Sequence, residues 1–385
     1  MPIVFLHGIV VSRVGFLLNS LGYMAQMKIL HVITTLDTGG AERLMVDLLP
    51  LLNDKGDKVE LLLFNGVMTP FRQELEKRGI VVHELANIES DFKRTEVYSP
   101  LNIFRLRRFI KNYDVIHTHN TACQLYVPIA RLLSGSHVKL ITTEHNTTNR
   151  RRSIKCLHPV DKWMYRQYTR VICIGDSTRD NLESYLGEEC HTVVIYNGVD
   201  TSRFVRPIKN VSAQDNFVIT MIAGYRPQKD HETLIKSMQH LPSNYRLQLV
   251  GDGECEPQLR DLCKNLGLNE RVVFMGVRMD VPDVMEMSDI IVLSSHWEGL
   301  SLSSIEGMAS GRPFIASDVD GLRDIVKGAG VLFPQGDDKA LASKIQHLCE
   351  NPDEYHRIAE ACQHRAMEYD ISVMADAYYQ LYHSL

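Results

Sequence analysis

The chain has 385 residues, too many for one ordinary hydrophobic core, so about two domains are expected. With 44% apolar and 23% charged residues it has the composition of a soluble globular protein, which excludes a wholly disordered chain. The formal net charge of −5 conceals an asymmetry: residues 1–200 hold 24 Lys+Arg against 21 Asp+Glu, and residues 201–385 hold 18 against 26.

The opening stretch "PIVFLHGIVVSRVGFLLNSLGYMAQ" is apolar, but Arg13 interrupts it, and it has neither a charged start nor a small-residue cleavage site. Residues 1–26 are therefore expected to be an upstream extension or a start-site artefact, with a membrane anchor as the alternative. From Met27 onward short apolar runs alternate with helical patterns: "ILHVITT", the helix "GAERLMVDLLPLLNDKG", "VELLLF", the helix "PFRQELEKRG", "VVHEL", the helix "PLNIFRLRRFIKNY", "DVIHTHN", the helix "TACQLYVPIARLLSG" and "KLITTEH". "VICIGD" and "TVVIYNG" close this first domain. Strands of four to seven residues separated by longer helices imply βαβ units and a parallel sheet covered on both faces.

Within this domain residues 93–170 carry 15 basic and 4 acidic side chains, including "RLRRFIK" and "NRRRSIK". Such a region attracts something anionic, be it lipid headgroups, a phosphorylated substrate or nucleic acid; a solvated basic face is the bland alternative. Eight cysteines occur without a CxxC pair or regular spacing, as expected of free thiols in a reducing compartment.

The polar segment at about 198–216 reads as a linker, after which the alternation restarts. The runs are "FVITMIAG", helix "HETLIKSMQHL", "YRLQLVGDG", helix "EPQLRDLCKNLG", "RVVFMG", helix "VPDVMEMS", "DIIVLSS", helix "SIEGMAS", "PFIASD", helix "LRDIV" and "GVLFP", with helices from 337 to the end. The expected fold class is thus α/β, two doubly wound parallel-sheet domains facing a cleft, with ligands bound beyond the strands' carboxyl ends. The domains are expected at 27–200 and 201–368, with residues 369–385 forming a helix able to pack back on the first.

Several motifs fall at that cleft. Gly39 and Gly40 follow the first strand and open a helix, where free amides can meet a phosphate, although a tight turn alone would explain two glycines. In "YRPQKDHETL" Arg226 and Lys229 stand between a strand end and a helix start, a setting able to hold a diphosphate and stabilise its departure; a surface basic turn is the alternative. In "HWEGLSLSSIEGMASGRP" the acids Glu298 and Glu306 lie eight positions apart, which on one helix would leave them about 80° apart. Glu298 is therefore expected in the turn after a strand and Glu306 in the first or second turn of the following helix, both facing one cavity. Ionised acids accept paired hydrogen bonds from ribose or sugar hydroxyls. His117 and His119 share one face of a strand and His145 ends another. Three histidines suggest zinc, but no HExxH, cysteine pair or acidic triad completes a site. Hydrogen bonding to substrate or proton transfer is the better role for a histidine at a strand end, and at least one of His117 and His119 is expected to be a satisfied core residue.

Taken in order, "GGAE", "DVIHTHN", "TTEHN", "YNGVD", "RPQKD", "VGDG" and "EGLSLSSIEGMASGRPFIASDVDG" resemble the retaining glycosyltransferases of family 4, which have the GT-B fold. The resemblance covers almost everything from Met27 to the C-terminus. It implies an enzyme that binds a sugar nucleotide, a UDP-sugar first among them, mainly in the second domain and a saccharide or lipid-linked acceptor mainly in the first. It further implies transfer with retention, no metal or other cofactor, and a role in surface polysaccharide or glycoconjugate synthesis. Carried over by position, Glu298 would hold donor-sugar hydroxyls and Glu306 the ribose hydroxyls. The amides of Leu302, Ser303 and Gly40 would contact the diphosphate, Arg226 and Lys229 would neutralise the leaving group, the Arg278 backbone would lie near the base, and His145 would contact acceptor or donor sugar. Two departures stand out: the family's arginine five residues before the lysine is Gly224 here, and a glycine of its "EGFGLPLLEA" pattern is Ser301.

Competing readings are a sugar-nucleotide 2-epimerase of the same fold and a non-catalytic module for anionic membrane or nucleic acid. Of these partners nucleic acid is not expected. The location expected is cytoplasmic, with the basic region docking on the inner face of the cell membrane.

Overall fold

Two sheets, each built only from parallel strands, organise the chain. The computed structural model describes residues 25–37, 39–87, 97–145, 150–187, 190–212 and 216–385. The expectation for residues 1–26 therefore falls almost wholly outside the described residues, as do parts of the basic region 93–170.

The first domain runs β1 (Lys28–Ile33), α1 (Gly40–Asp54), β2 (Lys58–Asn65), α2 (Pro70–Lys77), β3 (Val81–Ala86), α3 (Leu101–Ile110), β4 (Val115–Thr118), α4 (Thr121–Ser134), β5 (Lys139–Glu144), α5 (His158–Tyr165), β6 (Arg170–Cys173), α6 (Asp176–Leu186) and β7 (Thr192–Val194). Its strand order is β3-β2-β1-β4-β5-β6-β7. The second runs β8 (Phe217–Ile222), α7 (His231–Ser237), β9 (Tyr245–Val250), α8 (Glu256–Asn265), β10 (Val272–Phe274), α9 (Val281–Met287), β11 (Ile290–Leu293), α10 (Leu302–Ala309), β12 (Phe314–Ser317), α11 (Arg323–Val326), β13 (Val331–Phe333), α12 (Asp338–Glu350) and α13 (Pro352–Met367). Its order is β10-β9-β8-β11-β12-β13. Both orders reverse direction beside the domain's first strand, between β1 and β4 and between β8 and β11. Those are the switch points at which open parallel sheets bind ligands.

The strands read as continuous apolar runs because helices cover both faces: Ile290, Ile291, Val292 and Leu293 of β11 are all buried. Two helices, α5 and α6, lie between the apolar runs of the first domain and were not among the expected elements. The last helix, α14 (Ile371–His383), leaves the second domain and joins the core of the first. Its Ile371, Met374, Ala375, Tyr378 and Tyr382 pack with Ile29, Val115, Ile141 and residues of α1. At spacings of three, four and four, Ile371, Met374, Tyr378 and Tyr382 form one apolar stripe.

The two crossings between domains are pinned to each other. The amide of Ile371 donates to Val199 O at 2.9 Å and that of Val199 to Tyr369 O at 3.0 Å. The Thr201 hydroxyl donates to Asp370 Oδ2 at 2.5 Å. Gly198 is required by this closeness, since a Cβ there would sit 2.7 Å from Ile371 Cα. Gly198→Ala is expected to force the crossings apart and cost about 1–3 kcal/mol, read as a lower midpoint in denaturant titration. An unchanged midpoint would show that the crossings yield freely.

No described helix is long and apolar enough to cross a membrane. All eight cysteines are free, and six of them, Cys123, Cys173 and Cys263 included, are buried.

Candidate active site

The second domain's half of the cleft is built on the loop after β11. Small side chains at the strand end let three loops converge there. The Ser294 hydroxyl donates to Asp230 O at 2.8 Å, and the Ser317 hydroxyl at the end of β12 donates to Ser295 O at 2.5 Å. Asp230 has φ +48°, in the left-handed region that residues other than glycine rarely enter, and its side chain caps α7 by accepting from the Thr233 amide at 3.2 Å. This turn sets the direction of Lys229. Its ammonium pairs with Glu298 Oε1 at 2.5 Å. The same carboxylate accepts from the Ser295 hydroxyl at 2.6 Å and from Gln228 Nε2 at 3.4 Å. Both members of the pair are largely shielded, with 19% of the Lys229 side chain and 7% of the Glu298 side chain exposed, so water screens the pair weakly.

Arg226 lies at the start of the same loop and is exposed. A Cβ built on Gly224 would stand 3.8 Å from Arg226 Nε, so this guanidinium reaches back over the position where the family carries its arginine.

Glu306 projects from the second turn of α10. A Cβ on Gly307 beside it would meet Phe314 and Ile291 at 2.8 and 2.9 Å, so the absence of a side chain there lets α10 lie tightly on β11 and β12. No hydrogen bond joins Glu306 to a described residue. Burial raises its pKa to about 7, opposed by Arg203 and Arg43 and assisted by Asp47. Those three residues also line a cavity of about 350 Å³ between the domains, together with Met279, the neighbour of Arg278. The Arg278 side chain itself is held by Asp280, with Nε 2.8 Å from Oδ1.

Ser301 precedes α10 without capping it through its side chain. Its hydroxyl instead meets that of Ser303 at 3.0 Å. The amides of Leu302 and Ser303 are thereby left at the positive end of the helix. The start of α1 faces them from the first domain: a Cβ built on Gly40 would be 3.7 Å from Leu302 Cδ1. Two helix starts thus converge beside one another, an arrangement able to hold a diphosphate.

In the first domain the histidines form one cluster. His31 of β1 lies in register with His117 of β4, and the His117 and His119 rings stack at 4.3 Å. His119 Nδ1 is 3.2 Å from His145 Nε2. His31, His117 and His119 are buried and offer ligand atoms within 4.8 Å of one another. Their ring nitrogens are already engaged in hydrogen bonds, to each other, to His145, to Tyr382 and to Thr143. Burial lowers the pKa of His145 to about 4, so it is neutral at physiological pH.

The structure therefore brings Glu298 against Lys229, with Arg226 on the same loop, and sets Gly40 opposite Leu302 and Ser303. It surrounds Glu306 with Arg203, Arg43 and Asp47, apart from the Lys229–Glu298 pair. His31, Tyr382, Arg43 and Arg203 were not singled out from sequence. The one signal for the arginines was their place within or beside quoted motifs, "GGAERL" and "YNGVDTSRF".

Two family descriptions match adjoining stretches of the chain: "Glycosyltransferase Family 4" over residues 38–203 and "Glycosyl transferases group 1" over residues 203–365. The chain is 26% identical over 326 residues to the UDP-Gal:alpha-D-GlcNAc-diphosphoundecaprenol alpha-1,3-galactosyltransferase of Escherichia coli, covering 79% of this chain and 82% of that one. It is 26% identical to the lipopolysaccharide core biosynthesis glycosyltransferase LpsD of Rhizobium meliloti, covering 92% and 98%. Among solved structures, Anabaena HepE in complex with UDP and glucose superposes with a TM-score of 0.79 at 24% identity, over 94% of this chain and all of that one. That likeness establishes the shared fold. With two parallel sheets facing a cleft and both halves matched in order, the chain belongs to the group 1 glycosyltransferases and has the GT-B architecture.

Proposed function

We propose that this glycosyltransferase moves a sugar from a UDP-sugar to a saccharide or lipid-linked acceptor with retention at the anomeric carbon. The observation that carries the reading is the shielded Lys229–Glu298 pair placed on the same domain as the uncapped start of α10. The two loops that converge there, one after β8 and one after β11, offer a cation to a departing phosphate and a carboxylate to sugar hydroxyls. Support for the substrate classes comes from the relatives: the E. coli enzyme is named for a UDP-Gal donor and a diphosphoundecaprenol-linked acceptor, and HepE is described with UDP-glucose.

In this reading Glu298 accepts hydrogen bonds from the donor sugar and Glu306 from the ribose. The amides of Gly40, Leu302 and Ser303 hold the diphosphate, and the backbone at Arg278 lies beside the base. The acceptor oxygen bonds to the anomeric carbon on the face from which the diphosphate leaves, as the bond from that carbon to the β-phosphate oxygen breaks. The same phosphate oxygen takes the acceptor's proton, and Lys229 and Arg226 balance the charge that develops on it. Arg226 thereby does from a shifted position what Gly224 cannot. No metal is assigned a role. Thermal stabilisation by a panel of sugar nucleotides, followed by the anomeric configuration of the product by NMR, tests the reading. Stabilisation by no sugar nucleotide, or an inverted product, would refute it.

The basic region is proposed to dock the enzyme on an anionic membrane surface. On α3 the basic Arg107 and Arg108 are exposed together with Leu101 and Phe104, at 60% and 59% exposure. Helix α4, which packs against α3, exposes Leu132 and Leu133. Apolar side chains among cations suit an interface of anionic headgroups and acyl chains. In vesicle flotation the protein should rise with vesicles containing phosphatidylglycerol and stay behind with neutral ones. Equal behaviour on both would remove this assignment.

A further inference from the structure

We infer that a buried hydrogen-bonded chain running from the last helix to the cleft fixes the tautomer of His145, placing its proton on Nδ1 and making Tyr382 a positioning residue for it. The chain starts on α14, where the Tyr378 hydroxyl lies 3.1 Å from Thr143 Oγ1. Thr143 Oγ1 is 2.8 Å from His117 Nε2, and His117 Nδ1 is 2.7 Å from the Tyr382 hydroxyl. That hydroxyl is 3.2 Å from His31 Nε2, and His31 Nδ1 is 2.8 Å from His119 Nε2. His119 Nδ1 closes the chain at 3.2 Å from His145 Nε2. Apart from His145 every member is buried.

Burial keeps the four imidazoles neutral, with His31 lowered to about 3, His145 to about 4, and His117 and His119 well below the ordinary histidine value. Each neutral ring brings one N–H and one lone pair, so every ring that donates on one side accepts on the other. Two directions are then open to the chain. If all donors act toward the cleft, Tyr378 donates to Thr143, Thr143 to His117, His117 to Tyr382, Tyr382 to His31, His31 to His119 and His119 to His145, and every fully buried hydrogen has an acceptor, the one left over being the Nδ1–H of the partly exposed His145. If all act toward α14, Thr143 donates to Tyr378, whose own hydroxyl hydrogen has no further acceptor among the described residues. A buried donor without a partner is costly, so the first direction is favoured.

His145 Nε2 consequently accepts from His119, and Nδ1–H remains to be offered outward. No described residue accepts from it. His145 stands after β5, beyond the carboxyl ends of the strands and next to the switch point between β1 and β4. A neutral donor at that place suits a sugar or phosphate oxygen, and Nδ1 has no lone pair with which to act as a base. The functional consequence rests on the proposed transfer reaction; the tautomer does not.

The test is the ¹⁵N spectrum of the histidine rings in the full chain, with His145 assigned by its loss in His145→Gln. The wild type should carry the His145 proton on Nδ1. Tyr382→Phe preserves the ring and cuts the chain, leaving His31 Nε2 without a partner in either direction, so both tautomers of His145 should be seen. In that variant kcat/KM should fall about twofold as the competent tautomer drops to about half. Tyr378→Phe leaves Thr143 still donating to His117, so the His145 signals should stay as in the wild type. A simple loosening of the core would disturb both variants alike. The inference is overturned by a wild-type proton on Nε2, by a Tyr382→Phe spectrum like the wild type's, or by stoichiometric zinc in the purified protein, which would claim the lone pairs of the cluster. Failure of every sugar nucleotide to react would sink the transfer reading instead and leave these spectra unchanged.

Discussion

Lys229→Ala is expected to lower kcat by about 10²–10³-fold, the loss typical of removing one donor from a site of developing negative charge. Two features of the structure make the effect specific. The ammonium is held by the turn at Asp230, which takes a left-handed backbone angle to place it, and no other lysine or arginine contacts Glu298 among the described residues. Arg226 is on the same loop but exposed over Gly224, so it does not stand in for Lys229 at that carboxylate. Stability should also fall, because the carboxylate of Glu298 would keep only Ser295 and Gln228 as partners; an unmet charged group of this kind costs about 1–3 kcal/mol. The two effects separate in the double variant Lys229→Ala with Glu298→Gln. Neutralising the acid should restore part of the stability and none of the rate. Wild-type turnover in Lys229→Ala, measured at saturating donor, would remove the leaving-group role.

The second large effect concerns Glu306. An ionised carboxylate accepts the two ribose hydroxyl hydrogens far better than a protonated one, and burial places this group's pKa near 7. Affinity for UDP should therefore rise between pH 6 and 8 as the carboxylate ionises. In Glu306→Gln the rise should vanish and affinity at pH 8 should be about 10- to 100-fold lower, since hydrogen bonds to a charged group contribute about 1.5–3 kcal/mol. Stability moves the other way. The folded value lies above the ordinary 4.5, so between about 4.5 and 7 the folded chain retains a proton that the unfolded chain has released. The stabilisation linked to that proton is complete below 4.5 and fades as pH climbs through 7. At pH 8 the glutamine variant should accordingly melt higher than the wild type while binding UDP more weakly. Titration calorimetry across the pH range and thermal unfolding at pH 8 check the two halves. A flat pH profile in the wild type would mean that the carboxylate does not meet the nucleotide.

Most of the fold was legible in the sequence because the strands of a doubly covered parallel sheet are unbroken apolar runs. "DIIVLSS" predicts a strand, and β11 occupies Ile290–Leu293. The helices α5 and α6 were harder to read: "HPVDKWMY" is barely two turns long, and in "DSTRDNLESYL" only Thr178, Leu182 and Leu186 are buried. The stripe on α14 announces a helix but not its partner. That Tyr378 and Tyr382 meet His117 and Thr143, more than 200 positions away, depends on the chain crossing back at Gly198 and Ile371. The site divides in the same way. Glu298 and Lys229 could be paired from sequence because each follows a strand at a sheet's carboxyl edge. The surroundings of Glu306 could not, since Arg43, Asp47 and Arg203 come from a helix of the other domain and from the connection between them. His31 sits inside an apolar strand and carries no local sign of its partners; only the register of β1 against β4 brings it to His117.

The most direct test of the account is a crystal structure of the protein with bound UDP. The account predicts the ribose hydroxyls on Glu306, the diphosphate between the start of α10 and Gly40, and Lys229 within ion-pair distance of the terminal phosphate. UDP bound away from α10, or a diphosphate with Lys229 turned from it and still locked to Glu298, would contradict it.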